Sequence, residues 1–289
     1  MKNLINIFFA STIFISASFA GGPWTQKKGI GYFKLSEWWI TYDKHYTDSG
    51  ELDPNITSGI YNTSFYGEYG LSDRFTAILY APLFSRSLYN NEVSGTTGDT
   101  VQPGEAVNSI GDVDVSFKYG LTASGAKFPI SATLTLGLPT GITGKGERGT
   151  LQTGDGEFNQ SIQIDAGTGF KIGKTNAYFS TFAGINNRTN GFSEEFKYGG
   201  EVGAGLFNQK LWLIARLNGV ESFNNGSEES TGNTSIFADR AEYTSYGLEA
   251  AFYITKQFGI SASFASAFRG KIIAAAPSYS VGVFLDLSK

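Results

Sequence analysis

The chain has 289 residues, a formal charge of −4, no cysteine and one histidine. Without cysteine there is no disulfide framework, thiol nucleophile or zinc–thiolate site, and no lipidated N-terminal cysteine. One histidine supplies too few ligands for a histidine-rich metal centre. The mild acidic balance argues against nucleic acid, which needs a basic footprint. A hydrophobic content of 41% argues against disorder.

Residues 1–20 read as a secretory signal peptide. Lys2 supplies the positive start, Leu4 to Ile15 is apolar, and Ser18-Phe19-Ala20 places small residues where a signal peptidase reads. Processing after Ala20 leaves residues 21–289 as one exported domain. No later run has the roughly 20 apolar residues that a spanning helix needs; Leu211 to Ala215 is typical in length.

The exported part reads in period two. In Tyr243 to Ile254, Tyr246, Leu248, Ala250, Phe252 and Ile254 share one face, and Ser245, Gly247 and Glu249 the other. Ile130 to Leu138, Ile162 to Phe170, Val113 to Tyr119 and Tyr279 to Leu287 alternate in the same way. Twelve such segments are expected: 29–42, 60–70, 74–87, 112–120, 129–138, 159–171, 176–188, 195–206, 210–223, 241–254, 259–268 and 276–287, each end good to about two to four residues. Most have about the 9–11 residues with which a tilted strand crosses a bilayer.

Connection length alternates along the chain. Residues 43–59, 88–111, 139–158 and 224–240 are long and rich in Gly, Thr, Asn and acids, whereas Leu71–Asp73, Leu121–Phe128, Ile172–Thr175, Phe207–Gln209 and Thr255–Phe258 are short. Outer-membrane barrels have short periplasmic turns and long external loops. The expected fold is therefore all-β: a closed antiparallel transmembrane β-barrel of about twelve strands in a Gram-negative outer membrane. Closure follows because lipid cannot satisfy an open strand edge.

In that fold the apolar face meets lipid and the polar face lines the lumen. A Lys or Arg facing lipid at mid-depth costs about 2–4 kcal/mol. Trp38, Trp39 and Tyr42 at one end are expected to form an interfacial girdle; Tyr69, Phe75, Tyr119, Phe170, Phe207 and Trp212 form the other. Glu37 shares the lipid face with Phe33 and Leu35, which a bulge or an early end of the membrane zone would absorb. Phe75 to Phe84 is apolar on both faces, and Pro82 points to a bulge there. The last aromatic residue is Phe284, the nearest candidate for a barrel-assembly signal.

Tyr69-Gly70-Leu71-Ser72-Asp73-Arg74-Phe75, with Pro82 beyond it, is followed by Gly111-Asp112-Val113, Phe117-Lys118-Tyr119-Gly120, Leu138-Pro139-Thr140-Gly141 and Gly154-Asp155-Gly156. This ordered set resembles the MetA-pathway phenol-degradation family, a set of outer-membrane β-barrels, over most of residues 60–289. The resemblance implies a channel or transporter for hydrophobic or aromatic compounds and brings no catalytic residues.

Other motifs have ordinary readings. His45, with Asp43 and Asp48 nearby, is the one candidate for a catalytic base, and an ordinary loop histidine is the default. Asp48, Glu51 and Asp53, like Asp155 and Glu157, are acidic loop residues that miss calcium-loop spacing. Leu138-Pro139-Thr140-Gly141 is a strand exit.

The sharper candidates are Glu68, Lys118, Asp165, Glu201, Arg216 and Glu249, which lie at mid-segment on the polar face. They suit a constriction that selects solutes by charge and size, or a salt-bridged plug. Inward glycines at 137, 167, 169, 199, 203, 205 and 247 are expected to leave room for a conduit. The function expected is passive passage of small molecules without a cofactor, catalysis or nucleic acid, with outer-membrane lipid, lipopolysaccharide and the barrel-assembly machinery as partners. The alternative is a structural or adhesive surface protein.

Overall fold

The computed structural model describes residues 21–54, 57–227 and 237–289; the signal-peptide segment, 1–20, lies outside them. The twelve long strands are β1 Gly31–Tyr42, β2 Ser58–Ser72, β3 Phe75–Tyr89, β4 Val113–Gly120, β5 Ile130–Leu138, β6 Asn159–Ile172, β7 Thr175–Asn187, β8 Glu195–Leu206, β9 Leu211–Ser222, β10 Glu242–Tyr253, β11 Phe258–Lys271 and β12 Ser278–Asp286. They coincide with the twelve expected segments, no end shifting by more than three residues. Each strand pairs antiparallel with the next in sequence. β1 also pairs with β12, Trp38 opposite Ser280, and the ring is closed.

Alternation selects this fold because a closed ring gives every strand two chemically different faces. Leu79, Leu134, Ile162, Phe179, Val202, Leu213, Leu248, Ile260 and Val281 are exposed around the whole outer wall. A band of that size on a water-facing surface would be an aggregation hazard, and it is what lipid requires. Near the long loops the band gives way to polar groups: Tyr198 donates to Glu221 and Arg269 pairs with the same carboxylate.

The irregularities have local causes. Thr63 faces Phe84 and Ser64 faces Pro82, so Leu83 is the extra residue of a bulge. The carbonyl of Pro82 accepts from the Gly111 amide at 2.9 Å. Glu37 lies on the outer face with no bulge in the β1–β2 register; Thr63 opposite it donates to the carboxylate. Trp39 and Tyr279 lie beside it on the same face, so the girdle rather than a bulge absorbs the charge.

The long connections fall at one end as expected, together with the intermediate ones, 188–194 and 272–277, which are shorter than 121–129 at the opposite end. The short turns are tight: Phe207, Asn208 and Gln209 all take positive φ between β8 and β9. At the other end the connections are structured. His45–Tyr46, Leu52–Asp53 and Ile273–Ala274 form a small sheet, Glu92–Val93 pairs with Thr100–Gln102, and Glu105–Ser109 extends the ring beside β3. His45 pairs in backbone register with Asp53 and Ala274. Residues 55–56 and 228–236 of two long connections lie outside the described residues.

The girdles need correction. Trp39, Tyr69, Phe75, Tyr119, Phe170 and Phe207 face outward, but Trp38, Tyr42 and Trp212 do not. Tyr42 packs with Ile40, Ile60 and Ala274 inside the long-loop end, against Trp38. Trp212 packs with Tyr178 and Ile214 inside the short-turn end. In each case strand parity decides: Trp38 and Tyr42 share a face with lumenal Tyr32, and Trp212 with Arg216. Phe284 is also lumenal, stacked on Tyr32 with centroids 5.7 Å apart.

Candidate functional site in the barrel lumen

All six charged candidates face the lumen, in the half nearer the short turns. Two groups result. In the first, Arg216 donates through Nε to Glu201 at 2.7 Å and through Nη1 to Glu249 at 2.5 Å. Lys34 completes the chain to the other Glu249 oxygen at 2.9 Å, and Tyr178 donates to Glu201 at 2.8 Å. The register builds this group: Glu201 is directly opposite Arg216, and Glu249 lies two residues from its partner Gly247. Two carboxylates and two cations balance, which a low-dielectric wall requires.

In the second group Glu68 is fully buried, and Lys118 and Asp165 are nearly so. Asp165 accepts from Gln163 at 2.7 Å and lies within electrostatic reach of Lys118 and Glu68. Glu68 accepts from Tyr66, from Gln26 Nε2 at 2.9 Å and from the Gly21 amide at 2.8 Å.

Those last two donors belong to a feature the sequence did not show. Residues 21–29 enter the lumen from the short-turn end and fold across it. Lys28 bridges Gly70 in parallel, and the Gly29 amide donates to the Gly70 carbonyl at 2.9 Å. Deeper in, the Gln26 amide donates to Thr76 at 2.8 Å. Trp24 meets Tyr178 edge-on, and Pro23 is fully buried.

The Tyr69–Phe75 motif is the seat of this segment. A Cβ on Gly70 would collide with the Lys27 carbonyl. Asp73 accepts from the Lys28 amide at 3.0 Å, and its carbonyl from Thr25 at 2.9 Å. Arg74 crosses to the next turn, donating to the carbonyls of Gly120 and Leu121 at 3.0 Å each.

Four of the inward glycines, Gly167, Gly199, Gly203 and Gly205, make room for neighbouring side chains, whereas Gly169 has nothing nearer than 4.0 Å. A Cβ at Gly203 would overlap the Tyr178 ring, at Gly205 the Trp212 ring, at Gly199 the Phe182 ring, and at Gly167 would crowd Pro23. Glycine at 203 and 205 lets a large ring lie against the wall, and the entering segment narrows the short-turn half of the lumen. Farther up, small polar groups line the wall, with Ser85 donating to Asn62 at 2.6 Å and Ser36 bonded to Ser64. The apolar Ile40–Tyr42–Ile60–Ala274 cluster lies beyond them.

The remaining motif blocks converge beside the long-loop end. Asp112 accepts from the amides of Gly141 at 2.8 Å and Asp155 at 2.7 Å, and Thr140 donates to the Gly111 carbonyl at 2.6 Å. Asp112 lies in the loop before β4; burial pushes it up to about 6, against the two amides, which pull it down. Asp155 and Glu157 are engaged by protein groups: Arg188 bonds Asp155 at 3.2 Å and Glu195 at 3.1 Å, and Thr189 donates to Glu157 at 2.8 Å. Among the described residues no group of three or more His, Cys, Asp or Glu is placed to hold a metal ion.

Of the lumenal groups, Lys34, Gln26, Tyr66 and Tyr178 were not singled out from sequence. Lys34 was findable, because it alternates with the lipid-facing Phe33 and Leu35. The entering segment carries no periodicity, so nothing in its sequence placed it in the lumen.

No protein-family model matches the chain and no curated protein matches it, so the likeness to the phenol-degradation family rests on motif order. Solved structures match in fold. An outer membrane channel from Pseudomonas putida F1 superposes with a TM-score of 0.58 at 15% identity, over 93% of this chain and 99% of that one. The NanC porin gives 0.51 at 9% identity, over 88% and 100%. The β-domain of the Bordetella autotransporter BrkA gives 0.50 at 14%, over 89% and 99%. The chain has the porin-like fold of outer-membrane β-barrels.

Proposed function

We propose that this chain is an outer-membrane channel for passive passage of small, mainly apolar or aromatic solutes, long loops outward and the N-terminal segment narrowing the opposite end. The lumen carries this reading. An apolar cluster of Ile40, Tyr42, Ile60 and Ala274 lies at its long-loop end, and Lys34, Arg216, Glu201 and Glu249 are paired with one another rather than presented to ions. Glu201, Arg216, Glu249 and Lys34 form the constriction, with Glu68, Lys118 and Asp165 beside the entering segment. The fold shared with a Pseudomonas outer membrane channel and a porin supports the class, and the motif order supports aromatic compounds as cargo. Lipopolysaccharide around the long loops and the barrel-assembly machinery are the partners such a barrel requires.

The test is flux in two formats. Purified protein lacking residues 1–20 should give stable low-conductance steps in planar bilayers, and removal of residues 21–28 should widen them. Proteoliposomes should pass benzenesulfonate faster than propanesulfonate, which carries the same charge without the ring. Silence from both proteins, with folding verified by heat-dependent gel mobility, would overturn the channel. Equal flux of the two sulfonates would overturn the preference for aromatic solutes.

A further inference from the structure

We infer that the α-ammonium released by signal-peptide cleavage between Ala20 and Gly21 is an ion-pair partner of Glu68 that locks the N-terminal segment into the lumen. In the cleavage step water adds across the Ala20–Gly21 peptide bond. Its oxygen goes to the new Ala20 carboxylate, and the Gly21 nitrogen takes up the protons that make it an ammonium.

Three observations meet at that nitrogen. First, it lies 2.8 Å from Glu68 Oε1, inside the barrel and beside a carboxylate with no exposure to solvent. Second, charges around it do not balance without it. Lys34 and Arg216 are taken up by Glu201 and Glu249. Among the described strand residues, that leaves Lys118 to serve both Glu68 and Asp165. A buried carboxylate held only by neutral donors carries a large desolvation cost, and a positive charge at the Gly21 nitrogen gives Glu68 a partner of its own. An unperturbed α-amine titrates at about 7.7–8.0, so it supplies that charge at neutral pH.

Third, the approach is shaped for a chain start at this position. Gly22 takes positive φ, a conformation that side chains disfavour. A Cβ on Gly22 would press on the Trp24 ring and approach Ser180. The residues that follow are anchored at Pro23, Trp24 and Gln26, so the position of the nitrogen is fixed by its own segment. Processing one residue earlier or later would move the ammonium away from Glu68.

The proposal assumes the signal-peptide reading and is independent of whether the barrel conducts. Protein purified from outer membranes is first sequenced from its N-terminus; Gly21 is expected, and any other start overturns the proposal. The folded and the denatured protein are then treated with succinimidyl acetate, and acetylation of the N-terminal peptide is followed by mass spectrometry. The Gly21 amine should react at least tenfold more slowly in the folded protein. Equal rates in the two states overturn the proposal. Glu68→Gln, checked for folding by heat-dependent gel mobility, should recover most of the lost reactivity while exposed lysines label as before. A folded variant that keeps full protection overturns the pairing with Glu68. If the variant does not fold, Glu68→Asp serves, because shortening the side chain lengthens the pair and should give partial reactivity.

Discussion

Trp24 stands edge-on to Tyr178 with ring centroids 5.5 Å apart and an interplanar angle of 89°. One ring belongs to the segment that enters the lumen, the other to the wall at β7. Tyr178 also meets Trp212 and donates to Glu201. The packing of the segment and the charge chain of the lumen are therefore coupled through one phenol.

Replacing Trp24 with alanine should unseat the segment. Loss of a packed aromatic ring typically costs about 3–5 kcal/mol. Trp24 is only partly buried, so about 2 kcal/mol is expected here on that scale. Single-channel recording should show larger or more frequent openings, with the barrel itself melting as before, because its ladders are untouched. Unchanged conductance would mean that the segment does not restrict the path.

Arg216→Ala should be destabilising and cation-selective. It leaves Glu201 and Glu249 with Lys34 as the remaining cation of their group, and breaking a buried pair costs about 3–5 kcal/mol, an upper figure since the Arg216 side chain keeps 29% exposure. Arg216→Lys should rescue charge but not geometry, because one ammonium cannot fork between two carboxylates as a guanidinium does. Reversal potentials in a salt gradient give the sign: more negative lumen, more cation current. Glu201→Gln should move the potential the other way.

Gly203→Ala and Gly169→Ala form a matched pair. The first adds a methyl where the Tyr178 ring lies, whereas the second has nothing closer than 4.0 Å. Overpacking typically costs about 1–3 kcal/mol, so only Gly203→Ala should lower the temperature at which the barrel unfolds on a gel. Equal behaviour would show that the wall glycines are not fitted to their rings.

The long-loop end should tighten on mild acidification. The folded-state value of Asp112, about 6, is raised above the ordinary 3.8. A raised carboxyl contributes stability that is fully present below about pH 4 and is lost as pH rises through about 6. Hydrogen exchange at the Gly141 and Asp155 amides, corrected for intrinsic rate, should be better protected at pH 4.5 than at pH 7.5. Asp112→Asn should flatten that dependence, and an unchanged pH profile would remove Asp112 as its source.

Much of the barrel was legible because each strand records its own environment. Ile162, Ile164 and Asp165 need only know which side is lipid, and that is written in the period of two. Loop length by parity added direction, and the bulge at Pro82 followed from its missing amide. The girdle readings of Trp38, Tyr42 and Trp212 failed because position near a strand end was weighed above parity. The space left by Gly203 is taken by the Tyr178 ring, which the sequence could not show because that residue is on another strand.

By itself, then, the sequence determined twelve strands, their two faces and their alternating connections, all of them short-range consequences of solvent on a local pattern. The tertiary structure alone decided that Glu201 meets Arg216, that Gly70 seats Lys27, and that Gly21 reaches Glu68 across 47 residues. Those contacts depend on register and ring closure, which bring distant residues together through the whole circumference of the barrel. A segment without periodicity is placed only by the cavity that the other strands create.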